Sequence, residues 1–357
     1  MLSLLVFGRP RRRAGQGESY YTDWLDALMS HPGVAARVVD TSSSTALVYG
    51  LARARRRAWD VIVYPYGFFY ETSTSRQRAI LTLLGELRGT KVFFLENEYR
   101  FLREKLAYAS LLGADYITSQ LPKDNADLAY GALFPPSRII SLAHGLAVSG
   151  GADEDAASAR TVDLGFRGTA YPYYIGHRDR ELITGYFAER AAALGLTTDI
   201  RLDERLDRTA WRAFLRRCRG ILGHDAGTEY LELNDVVRDR IGRYQAEHPG
   251  ATFEEVQRLF FKDFRNPVNA RCISSRHFDA IGTRTCQLMF PGRYNDILKA
   301  DVHYIAVERD FSNVRDAVAR FRDEAYRRRM VEDTYSYVRD AHTLRHRVAE
   351  LLRGIGL

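Results

Sequence analysis

The sequence has few cysteines, few lysines and no long hydrophobic run. Its three cysteines, Cys218, Cys272 and Cys286, are neither closely paired nor near a suitably spaced histidine, which excludes the usual zinc patterns and a disulfide framework. The apolar run at residues 2–7 is far too short to span a bilayer, and basic residues follow it rather than precede it as in a signal peptide. We therefore expect a cytoplasmic protein.

Positive charge is carried almost entirely by arginine. Lysine and arginine together number 52 against 45 acidic residues, a formal net charge of +7, and only five of the 52 are lysines. Guanidinium groups bind phosphate through paired hydrogen bonds, although a GC-rich genome also produces this composition. The excess charge is modest and no RNA- or DNA-reading motif occurs, so we expect no nucleic-acid partner. The clusters at residues 9–13 and 53–57 could contact anionic lipid at the inner membrane face, or face solvent.

Continuous apolar runs alternate with amphipathic helical patterns through the first half of the chain. Runs of this kind are typical of strands buried on both faces of a parallel sheet. The patterns at residues 76–87 and 99–112 predict helices, the second ending at Gly113. We predict a doubly wound α/β domain over residues 1–150, with strands at residues 4–7, 37–39, 60–64, 91–95, 115–118 and 138–142.

A stretch of small and polar residues at 149–160 separates this half from a second β/α series. At 357 residues the chain exceeds the usual size of one domain. We predict a linker at 151–160, a second α/β domain at 161–330 and a C-terminal helix at 331–357. An inserted helical hairpin is predicted at about 229–265, where Thr252 and Glu255 have the spacing of a capping box. The predicted strands of this domain are residues 162–166, 198–201, 220–223, 285–290 and 302–307.

Residues 271–310 carry the most informative pattern. They indicate a helix, a buried strand, a Pro-Gly turn, a short helix and a second strand, followed by an aspartate that begins a long helix. The pattern resembles the group-1 glycosyltransferases, especially the CgeB-like branch, which is similar to spore-maturation proteins. The residues that carry the resemblance are Arg276, Phe278, Asp279, Ala280, Tyr294, His303, Tyr304, Ile305, Asp310, Ser312 and Asn313, together with the ending at 341–347.

The resemblance covers the last half of the chain well and the first half in outline. It implies an α/β protein of the GT-B class, in which two Rossmann-like domains face each other across a cleft. The C-terminal domain would bind a nucleoside-diphosphate sugar, and the N-terminal domain would bind a glycan, lipid-linked or small-molecule acceptor with a reactive hydroxyl. No cofactor is implied beyond this donor. Two alternatives remain: a non-catalytic scaffold that binds a nucleotide or glycan, and a sugar-nucleotide epimerase, which would need no acceptor.

Several donor-binding residues follow from the resemblance. Asp279 takes the position of the acidic residue that hydrogen-bonds the donor ribose. Arg271 stands where many retaining members have a glutamate, and Arg284 where they have a small residue, so a standard retaining mechanism is not implied. Both arginines, with Arg276, could instead face a diphosphate. Tyr294 belongs to the same motif.

Two further strand ends in the second half are candidate donor contacts. Gly168 and Thr169 follow the first strand, where a glycine-containing loop could bring backbone N–H groups to a phosphate, and Arg178 or Arg180 would begin the next helix. A third loop, at residues 224–228, would place His224 and Asp225 beside the donor. Their alternatives are a tight turn with surface arginines and a structural histidine.

In the first half, acidic residues end a strongly buried strand. Glu96 and Glu98 would lie at a cleft-facing loop, where a carboxylate could act as general base on the acceptor hydroxyl. The alternative is an exposed loop or helix N-terminus, where acidic residues are favoured. His144 could also line the cleft. The only Asp-x-Asp, at residues 153–155, lies in the predicted linker, so we predict no essential metal.

Overall fold

The computed structural model describes residues 1–9, 19–65, 67–69, 78–148 and 160–357. Nearly all of the predicted linker, with its Asp-x-Asp, lies outside the described residues. So does most of the basic cluster at 9–13. In the described part of the chain, no helix combines the length and the apolar character needed to cross a bilayer.

The first half forms a six-stranded parallel sheet in the order β2-β1-β3-β4-β5-β6, and all six predicted strands are confirmed. The strands are β1 (Leu2–Gly8), β2 (Val34–Asp40), β3 (Val61–Tyr64), β4 (Thr90–Phe94), β5 (Tyr116–Ser119) and β6 (Ile139–Ser141). The helices are α1 (Ser19–Ser30), α2 (Ser44–Ala54), α3 (Arg78–Gly85), α4 (Leu102–Leu111) and α5 (Lys123–Tyr130). Side chains of β1, β3 and β4 enter two separate cores, which explains why these runs are continuously apolar.

The second half forms a parallel sheet in the order β14-β13-β10-β7-β8, with β9 antiparallel to β7 and a separate antiparallel pair of β11 and β12. Its strands are β7 (Val162–Thr169), β8 (Thr198–Arg201), β9 (Asp203–Glu204), β10 (Cys218–Gly223), β11 (Ala226–Thr228), β12 (Ala270–Cys272), β13 (Cys286–Met289) and β14 (Ile305–Ala306). Its helices are α6 (Asp179–Arg190), α7 (Arg208–Arg217), α8 (Val236–Glu247), α9 (Phe253–Val256), α10 (Ser275–Gly282), α11 (Val314–Arg322), α12 (Glu324–Ala341) and α13 (Leu344–Gly354). The five predicted strands are confirmed, whereas the sequence analysis missed β9, β11 and β12.

The inserted segment consists of α8 and α9, and α9 continues as a single wider helical turn, Gln257–Phe261. The Thr252 and Glu255 capping box is present, as predicted. On either side of the insertion, Leu231 and Val268 join the core of the first sheet. The insertion is therefore anchored to the first half although its chain belongs to the second.

The C-terminal region differs from the single helix predicted at 331–357. It contains the end of α12 and a separate helix, α13, whose N-cap Thr343 accepts a hydrogen bond from the His346 N–H. The apolar face of α13, including Val348 and Leu351, packs into the same core as Val6 of β1. The chain therefore ends by covering the first sheet.

Candidate functional site

A cavity of about 380 Å³ lies between the carboxyl edges of the two sheets. This volume is in the usual range for small-molecule sites, and strand carboxyl ends are where α/β proteins bind ligands. Polar contacts between the two halves flank it: Arg208 of α7 lies 2.7 Å from Asp23 of α1, and Arg293 lies 2.8 Å from Asp124 of α5. Both halves supply its walls.

Two arginines of the cavity have no carboxylate partner in the described part of the chain. Arg276 donates to the Arg167 carbonyl oxygen, and its guanidinium carbon lies 5.2 Å from the ring centre of Phe166. Arg180 donates to the Thr169 carbonyl oxygen, 2.5 Å away, and lies 3.7 Å from the Tyr171 ring centre. Aromatic faces and backbone carbonyls therefore hold both cations in the cavity without neutralising them.

This arrangement lowers the pKa of Arg276. Burial, with a smaller effect of the nearby Arg180 charge, lowers the pKa of Arg276 from 12.5 to about 10. The side chain still carries its charge near neutral pH. Arg276 is buried and Arg180 is half-buried, and a charged, incompletely compensated arginine pair of this kind is favourable for binding an anionic group.

The N-terminus of α10 lines the same wall through Ser274 and Ser275. The Ser274 N–H donates to the His277 imidazole, 3.1 Å away, which fixes the start of the helix. The unpaired N–H groups of a helix N-terminus, and its positive dipole end, favour anions. The helix thus adds to the effect of the two arginines.

Asp279 lies one turn further along α10 and also lines the cavity. Its Oδ2 accepts a hydrogen bond of 3.0 Å from the indole N–H of Trp211, on α7. The predicted ribose-binding carboxylate is therefore at the cavity wall, in a fixed orientation.

Both predicted acidic residues of the first half line the cavity, but their environments differ. Glu98 accepts hydrogen bonds from the Ser119 hydroxyl, the Gln120 N–H and the Tyr130 hydroxyl. Glu96 accepts one, from the Gln120 side chain through Oε1 at 3.1 Å. Its Oε2 is buried and accepts no hydrogen bond of good geometry from the described residues, although a contact with the Trp24 side chain partly offsets the rise that burial causes in the pKa of Glu96. Glu98 is held in the protein framework by three hydrogen bonds, whereas Glu96 is held less completely.

Burial raises the pKa of Glu96 from 4.5 to about 8, against the opposing charge of Lys105. Burial also raises the pKa of Glu98. Lys105 is 1% exposed, and its ammonium donates to the carbonyl oxygens of Glu96 and Asn97. Asn97 has a left-handed φ of 51°, so the lysine secures a tight turn after β4 that directs Glu96 towards the cavity.

Three further predicted residues, Gly168, Thr169 and His224, line the cavity. Gly168 and Thr169 lie within β7, which pairs with β9 at this point, so they form no loop at a helix N-terminus. Burial lowers the pKa of His224 well below its usual value, and its Nδ1 lies 2.6 Å from the Asp225 carbonyl oxygen. This contact places the proton of the neutral ring on Nδ1, which leaves Nε2 as an acceptor.

Arg178 does not line the cavity. It is exposed, at the N-cap of α6, with its guanidinium carbon 5.8 Å from the Phe253 ring centre. Arg180, two residues later, turns inward and lines the cavity. The residue spacing left both positions open, and the structure favours Arg180.

Arg271 and Asp225 belong to a neighbouring charged cluster instead of the cavity. The Arg271 guanidinium lies 3.2 Å from Asp179, 3.0 Å from Asp225 and 3.0 Å from Glu229. Arg309 lies 2.9 Å from Asp179. The charge of Arg271 is already matched by these carboxylates, so the structure does not favour the expectation that Arg271 faces a diphosphate.

The remaining predicted residues lie away from the cavity. Arg284 precedes β13, at the amino edge of the sheet, and packs 3.8 Å from the Tyr335 ring centre. Tyr294 is fully buried, and its hydroxyl donates to the Phe290 carbonyl oxygen at 2.7 Å. His144 is buried between the rings of Trp24 and Phe278, and burial lowers its pKa to about 4. These side chains are packing residues, not cavity contacts.

Sequence reasoning missed Trp211 and Lys105, and left Arg180 as one of two options. Trp211 contacts Asp279 across 68 residues of sequence, and no local pattern marks such a pair. Lys105 offered a weak signal, since it is one of only five lysines in an arginine-rich chain.

No protein-family model matches the sequence, and no curated protein is significantly similar to it. Solved structures do match. HepE of Anabaena in complex with UDP-glucose has 8% sequence identity and a TM-score of 0.51, with 99% of this chain and 100% of that chain covered. An alpha-glucosyltransferase in complex with UDP and a 13-mer DNA containing a HMU base has 11% identity and a TM-score of 0.55, with both chains fully covered. The chain shares the fold of these glycosyltransferases.

Proposed function

We propose that this chain is a glycosyltransferase of the GT-B type, which moves a sugar from a nucleoside-diphosphate sugar to a hydroxyl acceptor. The observation that carries the proposal is the cavity between the two sheets. Among the described residues, one wall presents cations without carboxylate partners beside a helix N-terminus, and the opposite wall presents a buried carboxylate that is only partly hydrogen-bonded. These are the groups that nucleotide-sugar transfer requires.

In this proposal, residues 1–150 and 161–330 are the two Rossmann-like domains, and 151–160 is the linker. The motif residues around Asp279 favour the group-1, CgeB-like branch. The packing of α13 on the first sheet extends the N-terminal domain by a segment from the end of the chain. This layout assigns the donor to the second half and the acceptor to the first.

The donor diphosphate lies against Arg180, Arg276 and the N-terminus of α10. As the bond to the sugar breaks, negative charge grows on the diphosphate, and the two guanidinium groups stabilise it. Asp279 accepts hydrogen bonds from the ribose hydroxyls, because an ionised carboxylate has several acceptor positions besides the one that Trp211 uses. His224 accepts a hydrogen bond from a sugar hydroxyl through Nε2.

Glu96 is the general base that takes the proton of the acceptor hydroxyl. Its raised pKa matches a base that must hold this proton near neutral pH. Lys105 orients the turn that carries Glu96. Closure of the cavity around both substrates excludes water, which would otherwise compete with the acceptor for the donor.

The proposal includes no essential metal. Asp179, His224 and Asp225 present oxygen and nitrogen atoms within 4.8 Å of one another, which is the kind of set that holds a divalent ion. However, the Arg271 guanidinium lies between the two aspartates, 3.2 and 3.0 Å away. Its positive charge fills the place that the ion would take, and an ion bound there would repel it.

Replacing Arg271 tests this assignment. We expect Arg271→Ala to lower the free energy of unfolding by about 3–5 kcal/mol, because the buried Asp225 loses its counter-charge and Asp179 keeps only Arg309, while nucleotide affinity changes less than threefold. Urea denaturation and calorimetric titration with UDP measure the two quantities. The control is Arg293→Ala, which removes a more exposed arginine with two carboxylate partners. If Arg271→Ala kept its stability and lost its affinity for UDP, Arg271 would instead be a donor-binding residue.

Turnover distinguishes the proposal from its alternatives. We expect release of nucleoside diphosphate from UDP-glucose, or from another nucleotide sugar, at a slow rate without acceptor, which is hydrolysis, and at a faster rate with a suitable hydroxyl acceptor. Conversion of the donor to an epimer without release would establish the epimerase. Binding of the nucleotide without turnover for any donor and acceptor would establish the scaffold.

A further inference from the structure

Trp211 occupies a special position in the cavity wall. It lies in the first turn of α7, whose N-cap Asp207 accepts a hydrogen bond from the Ala210 N–H at 2.9 Å. It is 9% exposed, stacks on Phe214, and lies in a core cluster with Ala280 of α10. The indole is therefore fixed between two helices, with one edge at the cavity.

The indole contacts two groups of α10 through different parts of the ring. Its N–H donates to Asp279 Oδ2 at 3.0 Å. Its face lies 4.9 Å from the guanidinium carbon of Arg276. Asp279 and Arg276 are three residues apart and so lie on the same side of the helix. One ring thus holds the carboxylate and one of the cations.

The hydrogen bond restricts the carboxylate more than packing alone would. An aspartate on a helix surface rotates about its side-chain bonds, and fixing it on binding a ligand costs affinity. A charge-assisted bond from a buried indole removes that freedom in advance. The oxygens then present their remaining acceptor positions to the cavity in one orientation.

We propose that Trp211 is a positioning residue that gives this protein its preference for ribonucleotides over deoxyribonucleotides, by orienting Asp279 towards the ribose hydroxyls. The proposal rests on the donor site proposed above. It separates two roles of the ring: the N–H serves ribose recognition through Asp279, and the ring face serves the diphosphate through Arg276.

The substitution Trp211→Phe separates these roles, because phenylalanine keeps an aromatic face and loses the N–H. The matched control is Trp59→Phe. The Trp59 indole donates to the Ala54 carbonyl oxygen at 3.1 Å within the first half, remote from the cavity. Both substitutions remove one buried indole hydrogen bond, so their effects on folding are comparable.

The experiment measures affinities by calorimetric titration for UDP and 2′-deoxy-UDP, and for GDP and 2′-deoxy-GDP. For whichever pair binds, we expect Trp211→Phe to weaken the ribonucleotide about tenfold and the deoxynucleotide about twofold, which reduces the ribose preference about fivefold. Trp59→Phe leaves both affinities unchanged. Asp279→Asn gives a similar loss of ribose preference, and the double variant Trp211→Phe/Asp279→Asn is no worse than either single one, since both remove the same interaction.

If Trp211→Phe weakened the binding of the ribonucleotide and of the deoxynucleotide equally, this proposal alone would be overturned, because Trp211 would then act only through packing. So would additive effects in the double variant. If neither UDP nor GDP, nor their deoxy forms, bound the unaltered protein, the donor site would fail as well. The two failures are therefore distinguishable in one set of titrations.

Discussion

Replacing Arg276 by methionine is expected to weaken UDP binding about 100-fold while leaving the protein at least as stable as before. The affinity falls because a buried charge that pairs with the diphosphate is removed. The stability does not fall, because Arg276 without ligand has no carboxylate partner among the described residues and its charge is costly to bury. Methionine keeps the apolar contact with Phe166 and Trp211.

Calorimetric titration with UDP and with uridine separates the charge effect from general damage to the cavity. Uridine lacks the diphosphate, so its affinity for Arg276→Met is expected to equal that for the unaltered protein. Arg178→Met is the matched control, since Arg178 lies on the same side of the fold but outside the cavity. Equal UDP affinities for the two variants, or a large fall in the melting temperature of Arg276→Met alone, would contradict the account.

Replacing Glu96 by glutamine is expected to lower the turnover number about 10²- to 10⁴-fold at every pH, since the amide cannot accept a proton. In the unaltered enzyme only the ionised carboxylate acts as base. Because burial raises the pKa of Glu96 to about 8, the rate should increase with pH up to about that value and then level off. Initial-rate measurements with UDP-glucose between pH 5.5 and 9.5 give this profile.

The raised pKa of Glu96 also determines how the free energy of unfolding changes with pH. Glu96 has a folded-state pKa of about 8, against a usual pKa of 4.5 for a glutamate, so the folded protein binds more protons than the unfolded chain between these values. The contribution of Glu96 to stability is therefore lost as the pH rises through this window. Glu96→Gln should lose less stability than the unaltered protein between pH 5 and pH 8, as measured by urea denaturation.

Glu98→Gln is the control for the turnover measurement. Glu98 holds Ser119, Gln120 and Tyr130 through hydrogen bonds, so its replacement should lower the melting temperature and preserve the pH profile of turnover. If Glu98→Gln abolished turnover and Glu96→Gln did not, the roles of the two carboxylates would be reversed.

The strand pattern was predictable because both sheets are parallel and buried on both faces. Runs such as the one ending at Phe94 therefore stand out as continuous apolar segments. The strands β9, β11 and β12 have two or three residues each, and none of them contains or continues a run of large apolar residues. Helix α13 packs on the first sheet, which is distant from it in sequence, and no local sequence pattern predicts this contact.

The cavity residues that could be predicted from the sequence are those placed by the end of a buried strand. Glu96 and His224 follow buried strands, Gly168 lies near the end of β7, and all three line the cavity. Arg284 precedes its strand, so it lies at the opposite edge of the sheet, and the resemblance alone had placed it at the donor. Arg271 was misplaced for another reason. Its carboxylate partners come from α6 and from residues 225–229, and their convergence depends on the tertiary structure.

A thermal-shift panel of UDP, GDP, dTDP, CDP and ADP, each with and without magnesium, tests whether the cavity binds a nucleoside diphosphate without a metal ion. A ligand that binds only the folded state raises the melting temperature by mass action. The account predicts a clear increase with at least one of these nucleotides, of the same size in the presence and absence of magnesium. No increase with any of them, or an increase that requires magnesium, would contradict it.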